Sequence, residues 1–245
     1  MWKDCVICCT MNRLPKKITP DSLLDTFVQV HYSLSIAKEE MLIAVRSLLA
    51  PDFSVIEPTA ELEDVGVKPD ETMLFGQGIV FRVRENLTSF TCSEGYLGWP
   101  RYSQLIKQVI QRMYDAGWIV EFPRVSVRYI NALPWAPLNQ QLRVTFPALP
   151  NLPAPSHTYY QTNLTTEEGF QILIALTDHP EAIEKEKNEG PFSLFDVGVM
   201  RTTPSPLKNL TELSSLLDKI HSIEKEVFFG LISPEFLVKL NPEYE

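Results

Sequence analysis

The chain has 245 residues, of which 44% are hydrophobic, so it can build a sizeable core and does not have the composition of a disordered protein. Its formal net charge of −9 disfavours non-specific attraction to nucleic acid or to anionic membranes, because phosphate binding normally draws on an excess of Lys and Arg. Its apolar stretches are shorter than the roughly 20 residues that cross a bilayer, and its start lacks the features of a signal peptide. We therefore expect a cytoplasmic protein that does not associate with membranes.

Composition divides the chain into a lead-in and one domain. Residues 1–20 form a short lead-in, and 21–245 are expected to form a single α+β domain with 21–120 and 121–245 as candidate halves. Cys5, Cys8 and Cys9 lie in the lead-in, but no second Cys or His pair follows them at ligand spacing. Small buried side chains are therefore a better interpretation than a metal site, and no cofactor is expected.

The first half of the domain begins with an alternating strand. Over 23–35, polar or aromatic residues alternate with Val28, Val30 and Tyr32, which predicts one drier face. A helix is predicted over 37–49, and the acidic segment 52–71 is expected to be an exposed connection. Strands over 75–84 and 87–92 follow, joined by a hairpin turn at Glu85 and Asn86.

Apolar residues at helical spacing predict the next helix over 100–116, with Gly117 at its C-terminal cap. Four strand-like runs, separated in part by proline-rich turns, then predict an antiparallel meander: 124–133, 141–149, 157–164 and 169–178. After a charged loop at 180–190, another strand is predicted over 192–200.

The closing segment has a wide apolar stripe that includes Leu213, Leu217, Ile220 and Phe228, which is typical of a helix lying across a sheet. Ser233 and Pro234 then suit the cap and first turn of a short helix over 234–240. Together these elements predict an α+β fold with an antiparallel sheet of about seven or more strands and helices packed on one side.

Several blocks of the sequence resemble a known family. The central run 124–131 is similar to a motif of the form R-x-G-x-R-Y-I-N, residues 96–102 resemble Y-x-G-W-x-x-F, and 216–229 with the ending N-P-E-Y at 241–244 resembles a C-terminal signature. Residues 16–32 are similar to the opening strand. The chain thus resembles a sporadically distributed prokaryotic family of uncharacterised proteins of about 250 residues, over roughly 16–244.

The resemblance implies an α+β fold with an antiparallel sheet, and its patchy distribution implies accessory genes such as mobile elements or antiphage defence. The resemblance does not imply any particular biochemical activity.

The chain also departs from the family pattern. Asp25, Gln29 and His31 stand where the family usually has Glu, Glu and Arg, Ser126 replaces the usual Gly, and Asp196 with Gly198 replaces a paired-aspartate strand. A carboxylate pair that is lost in one member is a poor candidate for an essential acid and base.

The sequence lacks the motifs that mark common active sites. It has no G-x-x-x-x-G-K-[ST] phosphate loop, no H-E-x-x-H zinc helix and no G-x-S-x-G nucleophile elbow. Its histidines, His31, His157, His179 and His221, share no spacing suited to metal binding or acid–base catalysis. The sequence therefore leans against an enzyme, and we expect structural roles for these residues.

Arginine supplies the candidate site for binding an anion or a partner. Five of the ten arginines fall at alternating positions of predicted strands: Arg82, Arg84, Arg124, Arg128 and Arg143. Guanidinium groups on one sheet face would suit an acidic protein segment, a nucleotide or single-stranded RNA. The alternative is that cross-strand ion pairs and the acidic segment 52–71 neutralise them within the chain.

The leading hypothesis is a non-enzymatic binding or regulatory protein whose partner is another protein. Tyr96, Trp99 and Trp135 are candidates for an exposed aromatic anchor, although Trp99 at a helix entrance equally suits packing onto the core. The alternative is a nucleic-acid- or nucleotide-binding protein, nuclease-like in one version, that uses the arginine face. It is disfavoured because aromatic stacking groups are not evident beside the arginines. A homo-oligomeric structural subunit is a third hypothesis.

Overall fold

The computed structural model describes residues 14–56, 71–144, 157–178 and 192–244. The strands are β1 (Lys17–Ile18), β2 (Leu23–Leu34), β3 (Ser54–Ile56), β4 (Thr72–Gly76), β5 (Ile79–Arg84), β6 (Leu87–Cys92), β7 (Ile119–Pro134), β8 (Tyr159–Thr165), β9 (Gln171–Thr177), β10 (Phe192–Leu207) and β11 (Pro242–Glu243). The helices are α1 (Lys38–Leu49), α2 (Trp99–Asp115), α3 (Leu138–Gln141), α4 (Leu210–Leu231) and α5 (Pro234–Lys239).

Within these described ranges, nine strands form one sheet in the order β3-β4-β5-β6-β2-β7-β10-β9-β8, and every neighbouring pair is antiparallel. The long strands β2 and β7 pair at its centre, so strands from both candidate halves share a single sheet. β1 and β11 form a separate two-stranded ribbon that joins the two ends of the described chain. The predicted α+β class, with an antiparallel sheet of more than seven strands and helices packed against it, is confirmed.

The sheet has a face covered by helices and an open face, and alternation along β2 and β7 sorts residues between them. Val28, Val30 and Val127 are fully buried on the covered face. Ser126 and Arg128 alternate with these residues and lie on the open face, where side chains reach solvent. Successive residues of a strand point to opposite faces, so one hydrophobic layer suffices for an antiparallel sheet.

Helix α2 covers the sheet with residues that were predicted from their spacing. Tyr102, Ile106, Val109 and Met113 are all fully buried. The helix ends at Gly117, whose φ of 76° lies in the left-handed region that favours glycine. The amide of Gly117 donates to the carbonyl of Tyr114 and that of Trp118 to Met113, so the orphan carbonyls of the last turn are satisfied.

Both closing helices begin at a side-chain cap, of which that at Ser233 was predicted. The Asn209 side chain accepts a hydrogen bond from the amide of Glu212 at the start of α4, and Ser233 accepts one from Phe236 at the start of α5. Leu213, Leu217 and Ile220 bury the apolar stripe of α4. Across the described parts of the chain, no helix combines the length and apolar character that crossing a bilayer requires.

Three sequence predictions are wrong in detail. The strand expected over 75–84 is broken by a tight turn at Gln77 and Gly78, both at positive φ, which joins β4 to β5. The strand expected over 141–149 is replaced at its start by α3 and an isolated bridge at Leu142. Part of the acidic connection 52–71 forms β3, and Glu71 is buried in an ion pair rather than exposed.

The predicted turn at 85–86 between β5 and β6 is confirmed, and β10 extends beyond the predicted 192–200. The predictions for 1–13, for 57–70, for 145–156 and for the charged loop at 180–190 lie outside the described residues.

Candidate functional site

Two cavities lie on opposite faces of the sheet. The first, called the open-face groove here, has a volume of about 580 Å3. Its polar lining comes from four strands: Gln29, Arg124, Ser126, Arg128, Asn163, Thr165 and Gln171. The groove follows from small residues on the open face, because Gly198 on β10 separates Arg128 from Leu173 without a side chain of its own.

Arg128 is held within the chain by a neighbouring strand. Its Nε lies 2.8 Å from Oδ1 of Asp196 and its Nη2 lies 2.5 Å from Oδ2, which is the bidentate geometry that guanidinium and carboxylate favour. This hydrogen bonding raises the pKa of Arg128. The Asp196 side chain is 8% exposed, so the pair satisfies a buried carboxylate. Arg128 therefore has an evident structural role.

Arg124 lies four residues earlier on the same face and has no such partner. Its Nε is buried without a hydrogen-bond acceptor, and it forms no ion pair with any described residue. His31 is its cross-strand neighbour on β2. Burial, and next the charge of Arg124, lower the pKa of His31, so this imidazole is neutral at physiological pH and does not add positive charge. Arg124 is the available guanidinium of the groove.

The other arginines are placed differently. Arg82 and Arg84 lie on β5, on the same face as Arg124. Arg84 pairs with Glu71 at 2.6 Å, whereas Arg82 has no ion pair among the described residues. Arg143 lies outside the sheet, where its Nε donates to the carbonyl of Ile232 at 2.9 Å, beside the end of α4. Four of the five arginines thus share a face, and Arg143 has a capping role.

The second cavity, called the tyrosine pocket here, lies where α4 meets the start of α2 and the lead-in, and its volume is about 670 Å3. Its lining includes six residues from three distant segments: Tyr96, Trp99, Tyr129, His221, Glu224 and Phe228. The mouth carries Lys16, Lys17 and Lys225. The pocket is therefore aromatic inside and basic at its rim.

Glu224 is the most unusual residue of the tyrosine pocket. It is 2% exposed, and its Oε1 is buried with no hydrogen-bond partner. Burial raises the pKa of this carboxyl well above its usual value, and the neighbouring Lys225 opposes that shift only in part. The raised pKa favours the protonated, uncharged form of the side chain, which offers one hydrogen-bond donor and one acceptor.

His221 precedes Glu224 by one helical turn and lies on the same side of α4. Its Nδ1 is also buried without a partner. Burial, reinforced by the charge of Lys225, lowers the pKa of His221 to about 4, so the ring is neutral at physiological pH. The ring stacks on Trp99 with centroids 4.1 Å apart and planes 16° apart. Two polar groups whose charged forms are disfavoured by burial thus lie in an aromatic environment.

Tyrosines from separate elements complete the wall. The hydroxyls of Tyr96 and Tyr129 lie 2.8 Å apart, and burial raises the pKa of both. Trp99 donates from Nε1 to Asp218 at 2.9 Å and packs against the core. Packing onto the core therefore describes Trp99 better than an exposed aromatic anchor does. Trp135 is 49% exposed and donates a hydrogen bond to the carbonyl of Asp178. It is far from Tyr96 and Trp99 in the chain, and it lines neither cavity.

Residues from three distant parts of the chain meet at the tyrosine pocket. Tyr129 and Asn131 come from 124–131, Tyr96 and Trp99 from 96–102, and His221 from 216–229. Sequence reasoning missed Glu224 as a site residue, although a signal was available. Glu224 falls four residues after Ile220 and four before Phe228, inside the apolar stripe of α4, where a charged residue is unexpected.

Among the described residues, no group of three or more His, Cys, Asp or Glu side chains is arranged to hold a metal ion. Cys92, the one cysteine in the described ranges, is a half-buried free thiol whose pKa burial raises. Cys5, Cys8 and Cys9 lie outside these ranges. No protein-family model and no curated protein matches the chain.

Proposed function

We propose that this protein is a non-enzymatic binding protein that captures an acidic segment of a protein partner in the open-face groove. Arg124 receives a carboxylate of that segment. The single observation that carries the proposal is the buried Nε of Arg124, which has no hydrogen-bond acceptor and belongs to a residue that lines a groove of mixed polar and apolar side chains. Buried donors in folded proteins are normally paired, so an unpaired guanidinium in a groove suits an anionic ligand.

The neighbours of Arg124 support a polypeptide ligand. Gln29, Asn163 and Gln171 supply amide groups that can donate to and accept from a peptide backbone. Arg128 does not compete for the incoming carboxylate, because Asp196 occupies its fork. One strong charged contact surrounded by neutral polar contacts is typical of recognition that depends on the partner's sequence rather than on its charge alone.

Nucleic acid is the less favoured ligand. Phe27 is the aromatic residue of the groove, and the Arg128 guanidinium lies 6.0 Å from its ring centroid, which limits its use for stacking a base. The net charge of −9 also opposes approach of a phosphate backbone.

The test measures binding of a glutamate-rich peptide and of a single-stranded RNA of equal charge by calorimetry, at low and at physiological salt. Arg124→Met is compared with Arg101→Met, which removes the same charge from an exposed position on α2. We expect the peptide affinity to fall about tenfold or more in Arg124→Met, since hydrogen bonds to charged groups contribute roughly 1.5–3 kcal/mol. Arg101→Met should bind like the wild type.

Two results would contradict the proposal: no peptide binding by the wild type, or equal losses in both variants. RNA binding that falls in Arg124→Met with a reduced salt dependence would instead support the nucleic-acid alternative. Affinity purification from the native host with the same two variants then identifies the partner, as the protein retained by Arg101→Met and lost by Arg124→Met.

A further inference from the structure

The tyrosine pocket contains two polar atoms that the protein itself leaves unpaired. Oε1 of Glu224 and Nδ1 of His221 are both buried, and no described residue forms a hydrogen bond with either. They lie one turn apart on α4 and both residues line the same cavity. Leaving a buried polar atom unpaired costs roughly 1–3 kcal/mol, so two such atoms on residues that line one cavity require an explanation.

A structural role does not supply that explanation. Glu224 forms no ion pair with a described residue, and an apolar side chain of similar size would complete the stripe between Ile220 and Phe228. The helix N-terminus at Leu210 lies more than three turns away along α4, so it does not neutralise the carboxyl. A ligand that enters the pocket would account for the buried, unpaired Oε1 of Glu224.

The lining restricts the chemistry of that occupant. Tyr96, Tyr129 and Phe228 present flat apolar surfaces, which suits a planar ring. The raised pKa of Glu224 favours its protonated form, and His221 is neutral, so together they offer uncharged donors and acceptors, which suits the polar edge of a heteroaromatic ring. A volume of about 670 Å3 falls within the range of roughly 300–1,000 Å3 that is usual for small-molecule sites.

The mouth of the pocket restricts the charge of the occupant. Lys17 is paired with Glu243 at 3.2 Å, whereas Lys16 and Lys225 form no ion pair with any described residue. Asp21 is the acidic residue at this rim. A buried carboxyl among aromatic rings would by itself suit a cationic amine. The excess of ammonium groups at the mouth opposes such a ligand and favours one that carries an anionic group.

We propose that the tyrosine pocket binds a planar heteroaromatic compound with an acidic substituent, the chemistry of a nucleoside monophosphate. Glu224 and His221 hold the polar edge of the ring, and Lys16 and Lys225 hold the anionic group at the mouth. This site lies on the face of the sheet opposite the open-face groove and does not depend on partner binding there.

The experiment titrates the full chain with the four common nucleoside 5′-monophosphates, their unphosphorylated nucleosides and trimethylamine as a cationic probe. Glu224→Gln keeps a neutral donor and acceptor, whereas Glu224→Leu removes both, and Glu226→Leu is the matched control at an exposed position of the same helix. Glu224→Leu replaces an unpaired buried carboxyl by an apolar group, so it is expected to fold.

We expect at least one monophosphate to bind with one-to-one stoichiometry. Its affinity should change less than about threefold in Glu224→Gln and Glu226→Leu and fall at least about tenfold in Glu224→Leu. Lys225→Ala should weaken the monophosphate and leave the corresponding nucleoside unchanged.

Three outcomes overturn the inference: no monophosphate binds, Glu224→Leu binds as the wild type does, or trimethylamine binds and Glu224→Gln loses it. The last outcome would show that Glu224 acts as a carboxylate toward a cation. Arg124→Met serves as a further control. It should bind the monophosphate as the wild type does, and this result does not depend on whether the open-face groove binds an acidic peptide.

Discussion

The open-face groove and the tyrosine pocket lie on opposite sides of one sheet and differ in whether their buried carboxyl group has a hydrogen-bond partner. On the open face, the buried Asp196 has a bidentate partner in Arg128. On the covered side, Oε1 of Glu224 is buried without a hydrogen-bond partner among the described residues, and burial raises the pKa of this carboxyl. The difference shows that burial alone does not determine the environment of a carboxyl, because a neighbouring element must also supply its partner.

The largest expected difference between the two faces is in stability. Phe90 is fully buried on the covered face and packs on Phe81 with ring centroids 5.5 Å apart, so Phe90→Ala should lower the free energy of unfolding by about 3–5 kcal/mol. Phe27 on the open face is only half-buried, and Phe27→Ala should cost less than about 1 kcal/mol. Denaturant unfolding measures both values, and equal losses would mean that the open face is covered in solution.

Glu224→Gln should change how stability depends on pH. Because the folded-state pKa of Glu224 is raised above its ordinary value of 4.5, the stabilisation from its protonation is complete below that value and is lost as pH rises toward the folded-state pKa. Gln at position 224 does not titrate. The free energy of unfolding of the variant, relative to that of the wild type, should therefore increase by about 1.4 kcal/mol per pH unit between pH 4.5 and the folded-state pKa.

Unfolding measured at acidic and at neutral pH tests this expectation. His221 has a lowered pKa of about 4 and acts in the opposite direction, since its contribution is present above pH 6.5 and declines as pH falls. It is retained in both proteins and cancels in their difference. A difference that does not change with pH would contradict a protonated Glu224 in the folded protein.

A smaller effect is expected when the paired arginine of the groove is removed. Arg128→Met should destabilise the protein by about 1–2 kcal/mol, because it removes the bidentate partner of the buried Asp196, while Arg128 itself is partly exposed. Arg124→Met, which breaks no ion pair, should stay within about 0.5 kcal/mol of the wild type. Adding Asp196→Asn to Arg128→Met should recover part of the loss, and failure to do so would argue against an electrostatic cause.

The smallest expected effect lies on the outer surface of the pocket wall. Lys107 pairs with Asp218 at 3.0 Å between α2 and α4, and both side chains are substantially exposed, so Lys107→Ala should cost less than about 0.5 kcal/mol. Asp218→Ala also removes the acceptor of Trp99 Nε1 and should cost more and alter tryptophan fluorescence. Thermal unfolding monitored by fluorescence compares the two variants, and equal effects would show that Trp99 does not depend on Asp218.

Local physical chemistry made much of the fold predictable from the sequence. The alternation in β2 determined which side chains lie on the covered and open faces, because the period of a strand is two residues. Caps at Asn209, Ser233 and Gly117 determined helix ends, since each satisfies backbone groups a few residues away. The segment over 75–84 was mispredicted because the turn at Gln77 and Gly78 interrupts an otherwise continuous strand pattern.

Tertiary structure alone decided the sites. The register of β7 against β10 places Gly198 opposite Arg128 and Asp196 two residues away, so that the Arg128 side chain reaches Asp196 whereas Arg124 has no ion pair among the described residues. Alternation along a single strand does not contain this information. The tyrosine pocket brings Tyr96, Tyr129 and Glu224 together from segments far apart in the chain. The sequence placed a carboxyl in an apolar stripe, but its lack of a partner is a property of everything packed around it, because hydrogen bonds and burial depend on distant segments meeting in space.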